Sequence, residues 1–322
     1  MTSPHLPAAA TVLLAALLDD MPRAELRVAQ VAMSAIYRDG GHSRMAVPNA
    51  TAALAYAVAR MPATYAACAR AFDLAATRMP AFAPVDGLDI GAGAGAATLA
   101  ATAVWPQMTA ARLIEPNAAL AALAIGLIGS ASAVAVSLGA HEVAAMPADG
   151  VATDLVMLSY MLAEQAESEV AAIVAGAAAR ARQMIIVVEP GTPAGYARVL
   201  AARQAMIAAG LHILAPCPHA QPCPLSSGDW CHFSVRLQRT AAHMQLKDAS
   251  VPFEDERFSF VAAVRNPVPV PTVARLIRPP VIEKGFADLA LCTTDGLETR
   301  RIRRRDGAAY KSAKGLVWGD EV

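Results

Sequence analysis

The chain has 322 residues, of which 56% are hydrophobic and 17% are charged. This composition excludes a disordered chain and supports a large core in one large domain or two ordinary ones. The 27 basic and 27 acidic residues cancel, so any basic surface must come from local clustering rather than from the net charge.

Residues 1–80 have the pattern of a helical region. Apolar positions recur at helical spacing through LRVAQVAMSAIYR and again through TAALAYAVARMPATYAACARAFDLAATRM, with no strand pattern between them. The apolar run TVLLAALL has no basic residues before it and is followed at once by Asp19 and Asp20. We therefore expect no export signal and a cytoplasmic protein, in which clustered cysteines are more often metal ligands than disulfides.

Residues 81–212 alternate between strand-like and helix-like segments. The alternation predicts an α/β domain with a Rossmann-like parallel sheet and helices on its faces. The longest uncharged run, residues 116–140, is divided by Gly126, Gly129 and serines into a helix and a strand of ordinary size. We therefore expect no membrane span there.

A glycine-rich turn follows the first strand of this domain, in LDIGAGAG at residues 88–95. Gly91, Gly93 and Gly95 allow a sharp turn and close approach of a ligand to the backbone. Glu115, one strand later, stands where a carboxylate accepts ribose hydroxyls. The spacing is GxGxG rather than GxGxxG, and Asp89 precedes the glycines, which favours the cationic sulfonium of S-adenosylmethionine. Another nucleotide, or a purely structural turn, stays an alternative.

The fourth strand, DLVMLSYMLAE at residues 154–164, ends at the sheet edge where ligands of open α/β sheets bind. Its exit carries Ser159, Tyr160 and Glu164, and it lacks the Asn-Pro-Pro-Tyr or Asp-Pro-Pro-Tyr sequence expected for methylation of an exocyclic base amine. Methylation of cytosine C5 needs a cysteine nucleophile. Pro-Cys pairs occur at residues 216–217 and 222–223, but they come after the following strand and not at the fourth, so this chemistry stays a minor alternative. We assign no catalytic residue.

Residues 213–322 are irregular, with short strand-like pieces in HFSVRLQR, FSFVAAVR and PTVARLIR. We predict a small, mostly β, metal-binding extension that packs on the sheet domain, with the acidic run EDE at residues 254–256 as a charged turn. Seven Lys and Arg residues stand between Arg300 and Lys314 against a single acid, Asp306. We expect this basic segment to contact RNA phosphates, with Tyr310 and Trp318 able to stack on bases; a solvated charged face is the alternative.

Three of the five cysteines lie within APCPHAQPCPLSSGDWCHF, residues 215–233. Prolines keep this loop out of regular helix or strand, so a metal is a plausible source of order for Cys217, Cys223 and Cys231. The fourth ligand could be His219, His232 or Cys292, whereas Cys68 lies in a helical pattern and is predicted to be core. The spacing alone leaves zinc and an iron–sulfur cluster open.

Several long motifs resemble a known family, the mitochondrial-ribosome small-subunit methyltransferase-like proteins and their bacterial relatives. The resemblance covers the chain from about residue 30 and rests on these segments: ARMPATYAA (59–67), LDIGAGAG (88–95), VVEPGTPAGYARVLAARQ (187–204), APCPHAQPCPLSSGDWCHFSVRLQR (215–239), LKDASVPFEDERFSFVAAVR (246–265) and YKSAKGLVWGD (310–320).

The resemblance implies a class I S-adenosylmethionine methyltransferase fold with a C-terminal extension. It implies a [4Fe–4S] cluster on Cys217, Cys223, Cys231 and Cys292, with the two histidines of the loop outside the ligand set. It also implies a role in assembly or translation of the small ribosomal subunit. We expect no transit peptide of the kind that the mitochondrial members carry, and we therefore expect a bacterial cytoplasm.

Three functions follow as hypotheses. The first is an S-adenosylmethionine-dependent methyltransferase acting on small-subunit rRNA, with the cluster as a structural element. The second is a non-catalytic, RNA-binding assembly factor that uses the cofactor site as a scaffold. The third, a methyltransferase for small molecules, predicts no association with ribosomal subunits.

Overall fold

A computed structural model describes residues 4–38, 41–139, 151–268 and 273–322. The N-terminal helical region is confirmed. Its helices pack on one another and on one face of the central sheet. They are α1 (Ala8–Asp19), α2 (Arg23–Arg38), α3 (Ser43–Ala46), α4 (Ala50–Ala59) and α5 (Met61–Arg78).

The central domain alternates strands with helices, as predicted. Its strands are β1 (Asp86–Ile90), β2 (Ala110–Ile114), β3 (Ala135–Gly139), β4 (Thr153–Ser159) and β5 (Ala181–Pro190). Its helices are α6 (Ala96–Val104), α7 (Ala118–Ala131), α8 (Glu167–Arg180) and α9 (Pro193–Ala208). The uncharged run from residue 116 therefore forms α7 and β3, and its last residue, 140, lies outside the described residues. No helix in the described ranges is long and apolar enough to cross a membrane.

The central sheet has the strand order β3-β2-β1-β4-β5, and these five strands are parallel. β4 is buried along its whole length, which explains its continuous apolar sequence. The order reverses between β1 and β4, and a ligand crevice forms at such a reversal, beyond the carboxyl ends of the strands.

The sheet is completed by β6 (His212–Ala215), β7 (Phe233–Gln238) and β8 (Phe253–Val264). β8 lies antiparallel to β5 and pairs on its other edge with both β6 and β7. This mixed sheet has the class I methyltransferase arrangement. The acidic run at residues 254–256 lies within β8, so the predicted turn is wrong: Glu254 and Asp255 pair with basic side chains of neighbouring elements.

A second, antiparallel sheet follows, consistent with a mostly β C-terminal part. It contains β9 (Ala274–Leu276), β10 (Val281–Glu283), β11 (Phe286–Thr293) and β12 (Gly296–Arg303), with β9 and β10 both paired to β11. The helices of this region are α10 (Ala241–Lys247) and α11 (Ala308–Ala313). The piece PTVARLIR forms β9, and its first two residues lie outside the described ranges. β8 lies in the sequence of the predicted extension, residues 213–322, but belongs to the central sheet. The domain boundaries at residues 80 and 212 stay a prediction from sequence.

Candidate cofactor pocket and cysteine site

The glycine-rich turn between β1 and α6 lines a pocket at the carboxyl edge of the central sheet. Gly91, Gly93 and Gly95 have φ values of +73°, +56° and +85°. Gly91 donates its backbone N–H to the carbonyl of Ile114 at 2.8 Å, which ties the turn to β2. Gly91 and Gly93 face the pocket, whereas Gly95 is the N-cap of α6. The structure thus gives two of the three glycines direct access to a ligand.

Replacing Gly91 with alanine is expected to lower the free energy of unfolding by about 2–4 kcal/mol, because left-handed strain adds to overpacking. A Cβ at Gly91 would lie only 2.6 Å from the Cβ of Met161. Gly210→Ala is the matched control: its φ is +77° but a Cβ there meets open space, so we expect about 1–2 kcal/mol from strain alone. Urea denaturation measures both. Equal losses would show that the contact with Met161 has no effect.

The two acids predicted to contact the cofactor occupy different places. Glu115 lines the pocket, where its Oε2 accepts the Gly93 N–H at 2.7 Å and its Oε1 accepts the Asn117 N–H at 2.8 Å. Asp89 is fully buried outside the pocket lining, and its Oδ2 accepts the backbone N–H and the hydroxyl of Thr98. Asp89 therefore supports the first turn of α6 from behind the glycines. Burial raises the pKa of both carboxyl groups, that of Asp89 to about 6.

The N-terminal helices close one side of this pocket, which the sequence did not reveal. Tyr37 from α2 and Tyr56 from α4 both line it. The backbone N–H of Ser43 donates to Glu164 Oε2 at 2.9 Å, joining α3 to the exit of β4. Apolar helical periodicity predicts that α2 and α4 are helices, but it does not indicate that two of their tyrosines face a ligand site.

The exit of β4 is held in an unusual backbone conformation. Tyr160 has a φ of +56°, which costs a non-glycine residue about 1–3 kcal/mol. Its hydroxyl donates to Glu256 Oε1 on β8 at 2.6 Å. Ser159, Tyr160 and Glu164 all line the pocket, as their position after the fourth strand suggested. In the described part of the chain, the pocket lining includes no Lys, His or Cys that could act as a base or nucleophile.

A buried carboxyl group at the end of β5 fixes the same exit. Glu189 is fully buried, and its Oε1 accepts the backbone N–H of Leu162 at 2.9 Å. Its Oε2 has no hydrogen-bond partner among the described residues. Burial raises the pKa of Glu189 from its usual 4.5 to about 8. The group is therefore protonated at neutral pH.

We expect Glu189→Gln to flatten the pH dependence of stability. The folded-state pKa of Glu189 is raised, so the folded chain holds a proton that the unfolded chain has lost between pH 4.5 and about 8. The contribution of this group to stability is thus present below the unfolded pKa and is lost as the pH rises through the folded pKa. Urea denaturation at about pH 5.5 and 8.5 measures the change. The prediction is contradicted if wild type and variant lose equal stability over this interval.

Four cysteines meet at a cavity between the two sheets. Three come from the loop between β6 and β7 and one from β11: Cys217, Cys223, Cys231 and Cys292. The rest of the lining is mostly apolar and comes from the same loop, α9, β8 and the second sheet. The four cysteines are free thiols. The structure therefore brings together the four positions that the resemblance implied, and Cys68 is buried in α5 as predicted.

Strand pairing explains how distant cysteines come together. Ala215 at the end of β6 pairs with Ala262, and Phe233 at the start of β7 pairs with Phe258, so both ends of the cysteine loop are fixed on one strand, β8. Arg275 on β9 pairs with Cys292 on β11 and donates its Nε–H to the carbonyl of Pro216 at 3.0 Å. The second sheet is thereby joined to the start of the loop.

Three of the thiols in this cavity have raised pKa values, which favours their protonated form. Burial raises the pKa values of Cys217, Cys231 and Cys292, the last to about 12, and repulsion from neighbouring cysteines raises them further. Four thiolates could exist together only with a cation among them, which a metal centre would supply. In the described ranges, however, no group of three or more His, Cys, Asp or Glu side chains is arranged to hold a metal ion.

The two histidines of the loop lie outside the cavity lining. His219 places its Nε2 3.8 Å from the sulfur of Cys292. The ring of His232 stacks on Trp230, with centroids 5.3 Å apart, and meets the edge of Trp318 at 4.9 Å. Trp318 is half-buried and packs against His232, and its stacking on RNA stays a prediction.

The basic segment, from Arg300 to Lys314, lies around the C-terminal end of β12. This end of β12 is next to the turn between β10 and β11. Arg300 and Arg301 are already paired with acids, Glu298 and Asp288. The remaining cations are exposed and make no ion pair in the described part of the chain; with Lys284 they form what we call the basic surface: Lys284, Arg303, Arg304, Arg305, Lys311 and Lys314. The N–H of Arg304 donates to the carbonyl of Gly285, which brings Lys284 beside the arginines.

Residues 50–322 match the family described as "Mitochondrial small ribosomal subunit Rsm22". The chain belongs to this family. The resemblance inferred from the motifs is therefore confirmed for the family as a whole. A human protein, "Ribosome assembly protein METTL17, mitochondrial", is 27% identical over 285 residues, covering 83% of this chain and 61% of the relative. This Rsm22-family chain thus spans less than two thirds of its human relative.

Two solved methyltransferase structures are similar at low identity. The magnesium protoporphyrin IX methyltransferase of Synechocystis with bound SAM is 12% identical, with 64% of this chain and 84% of that chain covered and a TM-score of 0.39. The N-methyltransferase NodS of Bradyrhizobium japonicum is 14% identical, with 61% and 93% covered and a TM-score of 0.38. At these TM-scores the fold assignment rests on the strand order and pairing described above.

Proposed function

We propose that this chain binds S-adenosylmethionine at the glycine-rich turn and acts in the assembly of the small ribosomal subunit. The observation that carries the proposal is the family match over residues 50–322, together with the human relative's name as a ribosome assembly protein. The strand order supports a methyltransferase-like domain. The basic surface supports a partner that presents phosphate groups, as rRNA does.

The pocket fits S-adenosylmethionine. Gly91 and Gly93 face the pocket without side chains, so a ligand can approach their backbone closely. Each Glu115 oxygen accepts one backbone N–H and keeps a lone pair for a ribose hydroxyl. The bound cofactor would supply an electrophilic methyl group. Glu115 and the glycine backbone would orient it, and Tyr37 and Tyr56 would restrict the access of water.

Replacing Glu115 with alanine is expected to weaken S-adenosylmethionine binding about 10- to 100-fold, the effect of losing charge-assisted hydrogen bonds of roughly 1.5–3 kcal/mol. Titration calorimetry measures the dissociation constant. Glu167→Ala removes an exposed carboxylate at the start of α8 and serves as the control. Unchanged affinity in Glu115→Ala would remove this acid from the cofactor site.

We also propose a specific reaction, the transfer of a methyl group to small-subunit rRNA. It is tested by incubating the protein with labelled S-adenosylmethionine and small-subunit particles from a strain lacking the protein. Label in rRNA supports an enzyme. Tight cofactor binding without label supports a non-catalytic assembly factor, an alternative favoured by the absence of Lys, His and Cys from the described pocket lining.

We further propose that Cys217, Cys223, Cys231 and Cys292 hold a [4Fe–4S] cluster. A single tetrahedral zinc with bonds of about 2.3 Å needs sulfur atoms roughly 3.8 Å apart, and no group in the described ranges is arranged to hold one ion. A cuboidal cluster binds each thiolate at a different iron, so it accepts sulfurs spread around a cavity. The four cysteines line a shared, mostly apolar cavity, which fits such a cluster.

A further inference from the structure

One buried arginine faces the cysteine cavity without a charged partner. Arg203 lies on α9, is only 1% exposed and lines the cavity together with the four cysteines. Its Nη2 donates to the carbonyls of His219 and Gln221 at 2.7 and 2.8 Å. Its Nε and Nη1 have no hydrogen-bond partner among the described residues. Three N–H groups of a permanently charged side chain, one on Nε and two on Nη1, are thus left without a partner beside the sulfurs.

The comparison with Arg275 shows what Arg203 lacks. Arg275 also lines the cavity and is 1% exposed, but its guanidinium pairs with Glu321 at 2.7 Å and donates to the carbonyls of Pro216 and Gly319. No carboxylate within the described ranges pairs with Arg203. A buried cation is costly unless an anion and hydrogen-bond acceptors compensate for its lost hydration. The cavity next to Arg203 is therefore suited to an anionic occupant.

A metal centre held by the four cysteines that line the cavity would supply that anion. A [4Fe–4S] core of charge 2+ bound to four thiolates has a net charge of 2−, and its one-electron reduction adds another negative charge. Sulfur atoms of such a centre also accept hydrogen bonds. The hydroxyl of Tyr196 makes a hydrogen bond of this kind, donating to the sulfur of Cys223 at 2.9 Å.

We propose that Arg203 is a positioning residue that neutralises the negative charge of the metal–thiolate centre and holds its reduction potential up. The proposal rests on the [4Fe–4S] cluster proposed above. Arg203 acts in two ways: Nη2 bridges two carbonyls of the cysteine loop, and the unpaired side of the guanidinium faces the sulfurs. Because reduction makes the centre more negative, a fixed cation beside it favours the reduced form.

The test separates charge from loop bridging. Arg203→Gln and Arg203→Lys both lose the full guanidinium bridge, but only the glutamine variant loses the charge. We expect Arg203→Gln to shift the equilibrium constant for reduction at least tenfold toward the oxidised cluster, about 59 mV for a one-electron couple, and Arg203→Lys to stay near wild type. Arg180→Gln is the matched control, because Arg180 is also buried, at 4% exposure, but is absent from the cavity lining.

The readout is the reduction potential from an anaerobic redox titration followed by absorption and electron paramagnetic resonance. Loss of the cluster in Arg203→Gln alone also supports the role of charge. Equal potentials in the Gln and Lys variants, or loss of iron from both, show that Arg203 acts only through the loop carbonyls and overturn the proposal. If wild-type protein reconstituted with iron and sulfide binds neither, the cluster assignment itself fails, and this inference fails with it.

Discussion

Replacing Cys223 with serine is expected to remove most of the iron and the brown absorption of anaerobically purified protein and to destabilise the C-terminal third. A serine oxygen is a much poorer ligand for iron than a thiolate. The loop that carries Cys223 has β strands only at its two ends, so the centre would supply much of its order. Iron and sulfide analysis, the absorption spectrum and limited proteolysis measure the result.

Cys68→Ser is the matched control for this substitution. Cys68 is equally a free cysteine, but it is buried in α5 and does not line the cavity. The substitution Cys68→Ser should lower the global free energy of unfolding, because it introduces a hydroxyl into the core, and it should leave the iron content unchanged. Full iron and unchanged proteolysis in Cys223→Ser would contradict the cluster assignment. Loss of iron in both variants would point instead to general unfolding.

The sequence predicted the architecture well where periodicity is strong. The alternation from β1 to β5 follows directly from apolar strands such as β4 and from alanine-rich helices, and it led to the correct sheet. It did not predict that β8 joins the central sheet, because the residues that begin this strand are acidic. Their charges are balanced across strands and by α10, as in the pair of Asp255 with Arg236. A local pattern cannot indicate such a partner.

In the candidate sites, too, the residues that are close in sequence could be predicted, whereas those contributed by distant elements could not. The glycines and Glu115 lie within one strand–helix–strand unit, and the structure places Gly91, Gly93 and Glu115 at one pocket. Asp89 has the right position in sequence, but its side chain turns toward Thr98. Residues such as Tyr37 and Arg203 belong to helices that pack on the sites from elsewhere, so only the tertiary fold identifies them.

The basic surface leads to the second large expected effect, on RNA binding. Replacing Arg303, Arg304 and Arg305 together with alanine should weaken binding to small-subunit rRNA and make it less dependent on salt. If these arginines contact phosphates, each lost contact reduces the slope of log K against log[salt] by about 0.7–0.9, so the triple variant should lose roughly two to three units. Binding measured by fluorescence anisotropy at several salt concentrations gives the slope.

A second triple variant combines Arg236→Ala, Arg300→Ala and Arg301→Ala. It distinguishes RNA binding by the basic surface from RNA binding that depends only on the net charge of the protein. It also removes three positive charges, but each of these arginines is paired with an acid: Asp255, Glu298 and Asp288. A side chain already held by a carboxylate releases few counterions when RNA approaches, so this variant should keep most of the salt slope. If both triple variants lose the same slope, RNA senses the overall charge of the protein, and the basic surface has no special role. A loss confined to the unpaired arginines would place the RNA at the end of β12, on the same sheet that supplies Cys292 to the cysteine cavity.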